Sequence, residues 1–199
     1  VPETAVQGAA APATHRDRPW YIAGGIVTGA GALILAAAAP APYITRVTTG
    51  RIVDMGITDT SNMGAAMAGA ACDTLERHFE DTGRGVDYYD AVITGDLGIT
   101  GGDILRELMG MDGLSLDARH FDCGGIIYDA ESQGVCAGGS GCGCSASVLA
   151  GYVLDNLRSG VWKRVLFAAT GALMSPTTSQ QGESIPGICH AVSFEMERC

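Results

Sequence analysis

The sequence predicts an α/β domain, a mixed sheet with helices packed on its faces. Three observations carry that expectation. Short apolar runs at Asp90 to Gly95, Val165 to Thr170 and Ile188 to Phe194 read as strands, the second continuous, as a strand covered on both faces requires, and the third apolar enough to pair beside it. Met63, Met67, Ala71, Leu75 and Phe79 recur every four residues, which puts them on one face of a helix. Glycine contributes 29 of 199 residues, about twice the usual share, so tight turns and close backbone approaches are expected.

Taken in order, residues 1–19 hold Ala, Pro and Thr without hydrophobic period and read as a linker or the remnant of a longer chain, ahead of a domain over 20–199. Tyr21 to Ile44 carries no charge and follows Arg16 and Arg18, so its length permits a membrane span. Gly24, Gly25, Gly29, Gly31, Pro40 and Pro42 interrupt it and favour two buried strands, Ile22 to Thr28 and Gly31 to Ala38, joined by a glycine turn. Tyr43 to Val53 is rich in β-branched residues and predicts a strand with one wet face. An amphipathic helix follows over Ser61 to Asp81, with Gly83 beyond it. After the Asp90 strand, Thr100 with Asp103 opens a helix through Leu105 and Met109, closed by Gly110. The loop Gly138 to Gly143 leads into Val148, Leu149, Tyr152, Val153, Leu154 and Leu157, with Arg158 in the last turn and Gly160 past the end. The predicted order is β-β-β-α-β-α-α-β-β, the last two strands pairing.

Composition limits the function. The formal charge is −10, with 12 Lys and Arg residues and no basic cluster, so nucleic acid is excluded as a partner. Seven cysteines form an odd set in a chain longer than small disulfide scaffolds, which points to a reduced, intracellular protein. Cys123, Cys136, Cys142 and Cys144 lack the paired C-x2-C knuckles of zinc sites, and no metal is expected.

The segment with most chemical content is GGSGCGCSA, from Gly138 to Ala146. Its glycines let backbone N–H groups converge, and the following helix directs its positive end there, an arrangement suited to a carboxylate or oxyanion. Cys142 or Cys144 at that helix start could serve as a thiolate nucleophile, although no base is adjacent. Small residues there would equally let the helix pack tightly on the sheet, and both readings stand at this point. Asp96, in Thr94-Gly95-Asp96-Leu97-Gly98, falls just past a strand's carboxyl end, where α/β sheets bind ligands; turn or cap duty is the alternative. His78 reads as a helix boundary residue, His15 lies in the linker, and His120 and His190 have no partner nameable from sequence. Met174 to Gly187 reads as a polar connection long enough to form a lid.

Residues 138–192, with VTTGRIVDMGITDTSNMGAAM and YYDAVITGDLGITGGDIL upstream, closely resemble the SpoVAD family of sporulation proteins, a branch of the thiolase-fold superfamily. The resemblance covers about 180 residues and implies one thiolase-like half, the C-terminal one, with a mixed five-stranded sheet and helices on its faces. Where ketoacyl synthases carry a histidine, this chain has the Gly95-Asp96 segment; where they carry a Gly-Asn-Thr-Ser motif, it has Gly141-Cys142-Gly143-Cys144. Both polarising groups are therefore replaced, and the resemblance implies a non-catalytic relative without a cofactor. It implies binding of dipicolinate (pyridine-2,6-dicarboxylate), with or without calcium, for uptake into the developing spore through the SpoVA membrane proteins. The ligand contacts expected on this chain are Gly95, Asp96, Gly139, Ser140, Gly141, Cys142, Gly143 and Cys144. A homodimer, a missing N-terminal half and a location peripheral to the spore inner membrane complete the expectation. The alternative is a thiolase-like acyltransferase that uses a cysteine thiolate.

Overall fold

The computed structural model of the chain describes residues 7–8, 25–37, 40–135 and 137–197. Its centre is a five-stranded mixed sheet of β3 (Tyr43–Thr49), β4 (Ala91–Thr94), β5 (His120–Asp122), β7 (Arg164–Ala172) and β8 (Gly187–Glu195). The spatial order is β3-β8-β7-β4-β5. Strand β4 runs parallel to β5 and β7, while β8 is antiparallel to both β7 and β3. The predicted α/β class and the five-stranded sheet with helices on its faces are what the chain forms. A smaller sheet joins β1 (Gln7–Gly8), β2 (Gly25–Thr28) and β6 (Gly139–Ser140), β2 and β6 being parallel.

Helix α1 (Met63–Thr82) is capped by the Asn62 side chain and ends on Gly83 in the left-handed conformation (φ 64°). Its stripe of Met67, Ala71, Leu75 and Phe79 packs with Leu105 and Met109 of α2 (Gly98–Met111) over one face of the sheet. Short helices α3 (Cys123–Ile126) and α4 (Ala130–Gln133) follow β5. A continuous helix, α5, then covers the other face: Cys144–Val148, a π-helical turn at Leu149–Val153, and Leu154–Arg158. It presents Val148, Val153, Leu154 and Leu157 to Ile93, Val165 and Phe167. Alternate residues of β4 thus feed opposite cores, Val92 one and Ile93 the other, as the pleat requires. Helix α6 (Pro176–Gln180), with a Ser175–Thr178 capping box, lies within the predicted polar connection.

Several boundaries depart from expectation. Residues 31–36 form no strand. Among the described residues no neighbouring strand pairs with them, so Leu33, Ile34 and Leu35 stay 44%, 97% and 75% exposed. The strand from Tyr43 stops at Thr49, and Val53 makes only an isolated bridge to Gly187. Helix α2 begins at Gly98 rather than Thr100 and lacks a side-chain cap of its own. Strand β5 was not anticipated. His78 is no boundary residue: fully buried, its Nδ1 meets the Thr48 hydroxyl at 2.8 Å and its Nε2 the Tyr89 hydroxyl at 2.7 Å. No described helix is long and apolar enough to cross a membrane. Residues 1–6, 9–24, Ala38, Ala39, Cys136, Arg198 and Cys199, with the readings made on them, lie outside the described residues.

Candidate functional site

The parallel strands β4 and β5 end together at Thr94 and Asp122, β7 runs on beside them to Ala172, and the candidate residues gather at that carboxyl edge. The chain leaves β4 through Gly95-Asp96-Leu97 into α2. Gly95 is buried, and a Cβ on it would stand 2.4 Å from the Thr170 hydroxyl of β7 and 3.1 Å from that of Ser145, so only glycine fits. Asp96 is half-buried and receives hydrogen bonds at Oδ2 from the Ser140 hydroxyl (2.8 Å) and the Gly141 N–H (3.1 Å). Its own N–H donates to Thr170 Oγ1 at 3.2 Å. The two segments singled out in sequence, Gly95-Asp96 and the glycine loop, are therefore joined directly.

The rest of the loop is held by backbone contacts that its small residues permit. Gly139 and Ser140 pair with Gly25 and Ile26 of β2, and Gly141 adopts φ 133°, in the region that favours glycine. A Cβ on Gly143 would lie 2.0 Å from the Gly29 carbonyl oxygen, so this glycine brings the start of α5 against the segment after β2. Cys142 is exposed, whereas Cys144 is fully buried. Burial, reinforced by the charges of Asp96 and Asp122, pushes the Cys144 thiol up to about 12, against the lowering expected at a helix start. Cys144 is thus a packed thiol rather than a poised nucleophile.

Sequence reasoning missed the carboxylate beneath the loop. Asp122, at the end of β5, is 7% exposed. It accepts from the Thr94 hydroxyl (2.6 Å) and from the N–H groups of Leu97 (3.0 Å), Gly98 (2.8 Å) and Gly125 (3.1 Å). It caps α3 as the residue just before that helix and supplies α2 with the cap it lacks. Burial raises its carboxyl to about 6 even against these four bonds. His120, two residues earlier, has burial and the Arg106 charge holding it down at about 4, so the ring is neutral near pH 7. Its Nδ1 faces Arg106 Nη1 at 2.9 Å and its Nε2 faces Thr94 Oγ1 at 3.0 Å. A chain of donation follows, from Arg106 to His120, to Thr94, to Asp122. It ends on a carboxylate and not on a cysteine. The signal available in sequence was His120-Phe121-Asp122 followed by Cys-Gly-Gly, an alternating triplet ending on a capping residue before small residues.

His190, also left open, is exposed and accepts from the Gly50 N–H at 3.0 Å, away from these residues. A cavity of about 710 Å³ lies elsewhere, between Leu33 to Ala37, β3 and the end of α5, with Arg46 and Arg158 among its walls. None of the expected ligand contacts lines it.

Comparison with known proteins matches residues 15–195 to the family model described as stage V sporulation protein AD (SpoVAD). The chain is similar to stage V sporulation protein AD of Bacillus subtilis (strain 168), 47% identical over 169 residues, which are 85% of this chain and 50% of that protein. The chain therefore spans about half the length of the curated relative it matches.

Proposed function

Since this chain belongs to the stage V sporulation protein AD family, we propose that it contributes a dipicolinate-binding loop to a non-catalytic thiolase-like protein, which serves uptake of that ligand into the developing spore. The family is named for sporulation and not for an enzymatic reaction. The observation that carries the reading is the glycine loop at the start of α5, gathered with Asp96 at the carboxyl edge of the sheet. Backbone N–H groups at a helix start favour an anion. The Asp96 carboxylate works the other way, since a second carboxylate arriving beside it is repelled. A divalent cation between them would offset that repulsion, and calcium accepts several oxygen ligands in flexible geometry. The calcium chelate of dipicolinate is therefore the better-matched ligand.

Absence of turnover is supported by the buried, high-pKa thiol of Cys144 and by the engagement of both His120 nitrogens with Thr94 and Arg106. Because the chain covers half the length of its relative, the remainder of the pocket is assigned to the other half. The exposed Leu33–Ile34–Leu35 run suits packing against such a unit. The edge strand β3, with Ile44 and Val47 exposed, suits pairing with a second copy. Delivery to the SpoVA membrane proteins, with the protein peripheral to the inner membrane, completes the proposed role.

Thermal unfolding with dipicolinate, with and without calcium, and with picolinate as a monocarboxylate control, tests the reading. Ligand at about a hundred times its Kd adds about 2.7 kcal/mol, which for a domain of this size raises Tm by about 5 to 10 °C. The expected result is a shift specific to dipicolinate and larger with calcium. No shift, either on this chain or on a full-length relative, refutes it.

A further inference from the structure

We propose that Asp122 is the positioning residue of the glycine loop: one buried carboxylate fixes the passage from β4 into the first turn of α2, where Asp96 and Ile99 clamp both flanks of the loop. The inference rests on reading that loop as ligand-binding. Four consecutive residues carry it. The outer pair, Asp96 and Ile99, reach the loop: Asp96 takes the Ser140 hydroxyl and Gly141 N–H, and Ile99 donates its N–H to the Ala137 carbonyl at 3.1 Å. The inner pair, Leu97 and Gly98, reach down, each donating its N–H to Asp122. A carboxylate with two acceptor oxygens meets this pair, the Thr94 hydroxyl and Gly125 N–H at once, a set a neutral amide cannot match because half its polar end donates.

Two close approaches crowd the turn. Gly98 sits at φ 69°, and a Cβ there would stand 2.4 Å from the Ala137 carbonyl oxygen. The α3 helix that Asp122 caps packs on the loop as well, since a Cβ on Gly124 would lie 2.0 Å from the Gly139 carbonyl oxygen. Asp122 therefore sets the loop from two sides, through α2 and through α3, without a hydrogen bond to it. Behind it, Arg106, His120 and Thr94 orient the donors, so the Thr94 hydroxyl is committed to the carboxylate.

The test is hydrogen exchange by mass spectrometry on the full chain without ligand, comparing Asp122→Asn and Thr94→Val with a destabilised core variant, Leu75→Ala. Hydrogen bonds to an ionised acceptor are the strong class, and losing their geometry is expected to speed exchange across residues 137–144 about tenfold or more. Peptides from β7 and β8 should stay within about twofold, and Leu75→Ala should not single out the loop. Loop exchange unchanged in both variants, or a rise spread evenly over the chain, overturns the proposal. If Asp122→Asn does not fold, Thr94→Val decides on the same criterion. Titration of the same proteins with calcium dipicolinate then separates two failures. A wild-type chain and full-length relative that do not bind overturn the functional reading but leave the exchange result standing; normal affinity in a variant whose loop is loosened overturns the positioning role alone.

Discussion

Two glycines on one helix should respond with opposite sign to the same substitution. In Gly143→Ala the new methyl would begin 2.0 Å from the carbonyl oxygen of Gly29, where a carbon and an oxygen normally stay about 3.3 Å apart. More than 1 Å must be recovered, and neither partner is a flexible side chain: both belong to backbone, one in the segment after β2 and one at the start of α5. The φ of −94° at Gly143 is open to alanine, so the penalty is packing and not backbone strain. Overpacking of this kind costs about 3 kcal/mol, the upper end of the usual range. For a domain of this size that lowers Tm by about 6 to 12 °C. Gly151, in the π-helical turn of the same helix, has nothing within 4 Å of the place its new methyl would take, and its replacement removes unfolded-state entropy. Gly151→Ala should stabilise by about 0.5 to 1 kcal/mol and raise Tm by about 1 to 4 °C. Circular dichroism melts of both variants against wild type read the result. A Gly143→Ala protein within about 2 °C of wild type would show that α5 does not rest on the Gly29 segment and would refute the close approach.

Acid should weaken the fold through two buried histidines. His78 and His120 both titrate at about 4 in the folded chain against an ordinary 6.5, burial being the first cause in each. The stability this represents is fully present above pH 6.5 and is lost as pH falls toward 4, because only the unfolded chain takes up the proton. Asp122, raised to about 6, has the opposite sign between pH 6 and 4. Two histidines against one carboxyl leave a net loss of about 3 kcal/mol, read as a falling urea midpoint from pH 7 to pH 4.5; a flat profile would contradict the burial of both rings. Thiol labelling gives a second check. Of the five described cysteines, exposed Cys142 should label first while buried Cys72, Cys123, Cys144 and Cys189 stay protected until unfolding. Labelling of Cys142 or Cys144 that an acyl-thioester blocks would revive the acyltransferase alternative.

The parts of the fold legible in sequence were those whose partners are close by or whose pattern is long. The stripe of Met67, Ala71, Leu75 and Phe79 declares α1 on its own, and the apolar runs of β4 and β7 declare strands buried in the sheet, beside which the apolar content of β8 pairs. Strand β5 escaped because it is three residues long and two of them, His120 and Asp122, are polar yet buried; no hydrophobicity pattern marks a polar core. Residues 31–36 misled for the converse reason. Their apolar content reads as a buried strand, but a strand needs a neighbour to take its N–H and C=O groups, and among the described residues none does. Helix α2 began two residues earlier than its Thr100 and Asp103 signal because Asp122, 24 residues away from Gly98, supplies the cap.

That distant cap also supports the proposed reading of the glycine loop as a ligand site. If the small residues of Gly138 to Cys144 served packing alone, van der Waals contact between α5 and the sheet would suffice, and polar groups around the loop would be a cost in a poorly solvated place. Instead a half-buried carboxylate, Asp96, is spent on Ser140 and Gly141, and a second, Asp122, holds the turn that delivers it. Both lie at the carboxyl edge of parallel strands, where helix starts converge. Packing explains Gly143 and Gly139, whose missing Cβ atoms admit Gly29 and Tyr128. It does not explain why the loop's backbone donor at Gly141 is fixed by an ion. On the proposed reading, an anionic clamp on a loop otherwise suited to anions leaves net negative charge at the site, and a ligand that carries its own cation would relieve it. Calcium should therefore strengthen dipicolinate binding to this chain, and Asp96→Asn should abolish that calcium dependence while leaving α5 and its core intact. Isothermal titration of wild type and variant with dipicolinate, with and without calcium, reads both, and an Asp96→Asn protein that keeps the full calcium effect would refute the clamp's role in binding the cation.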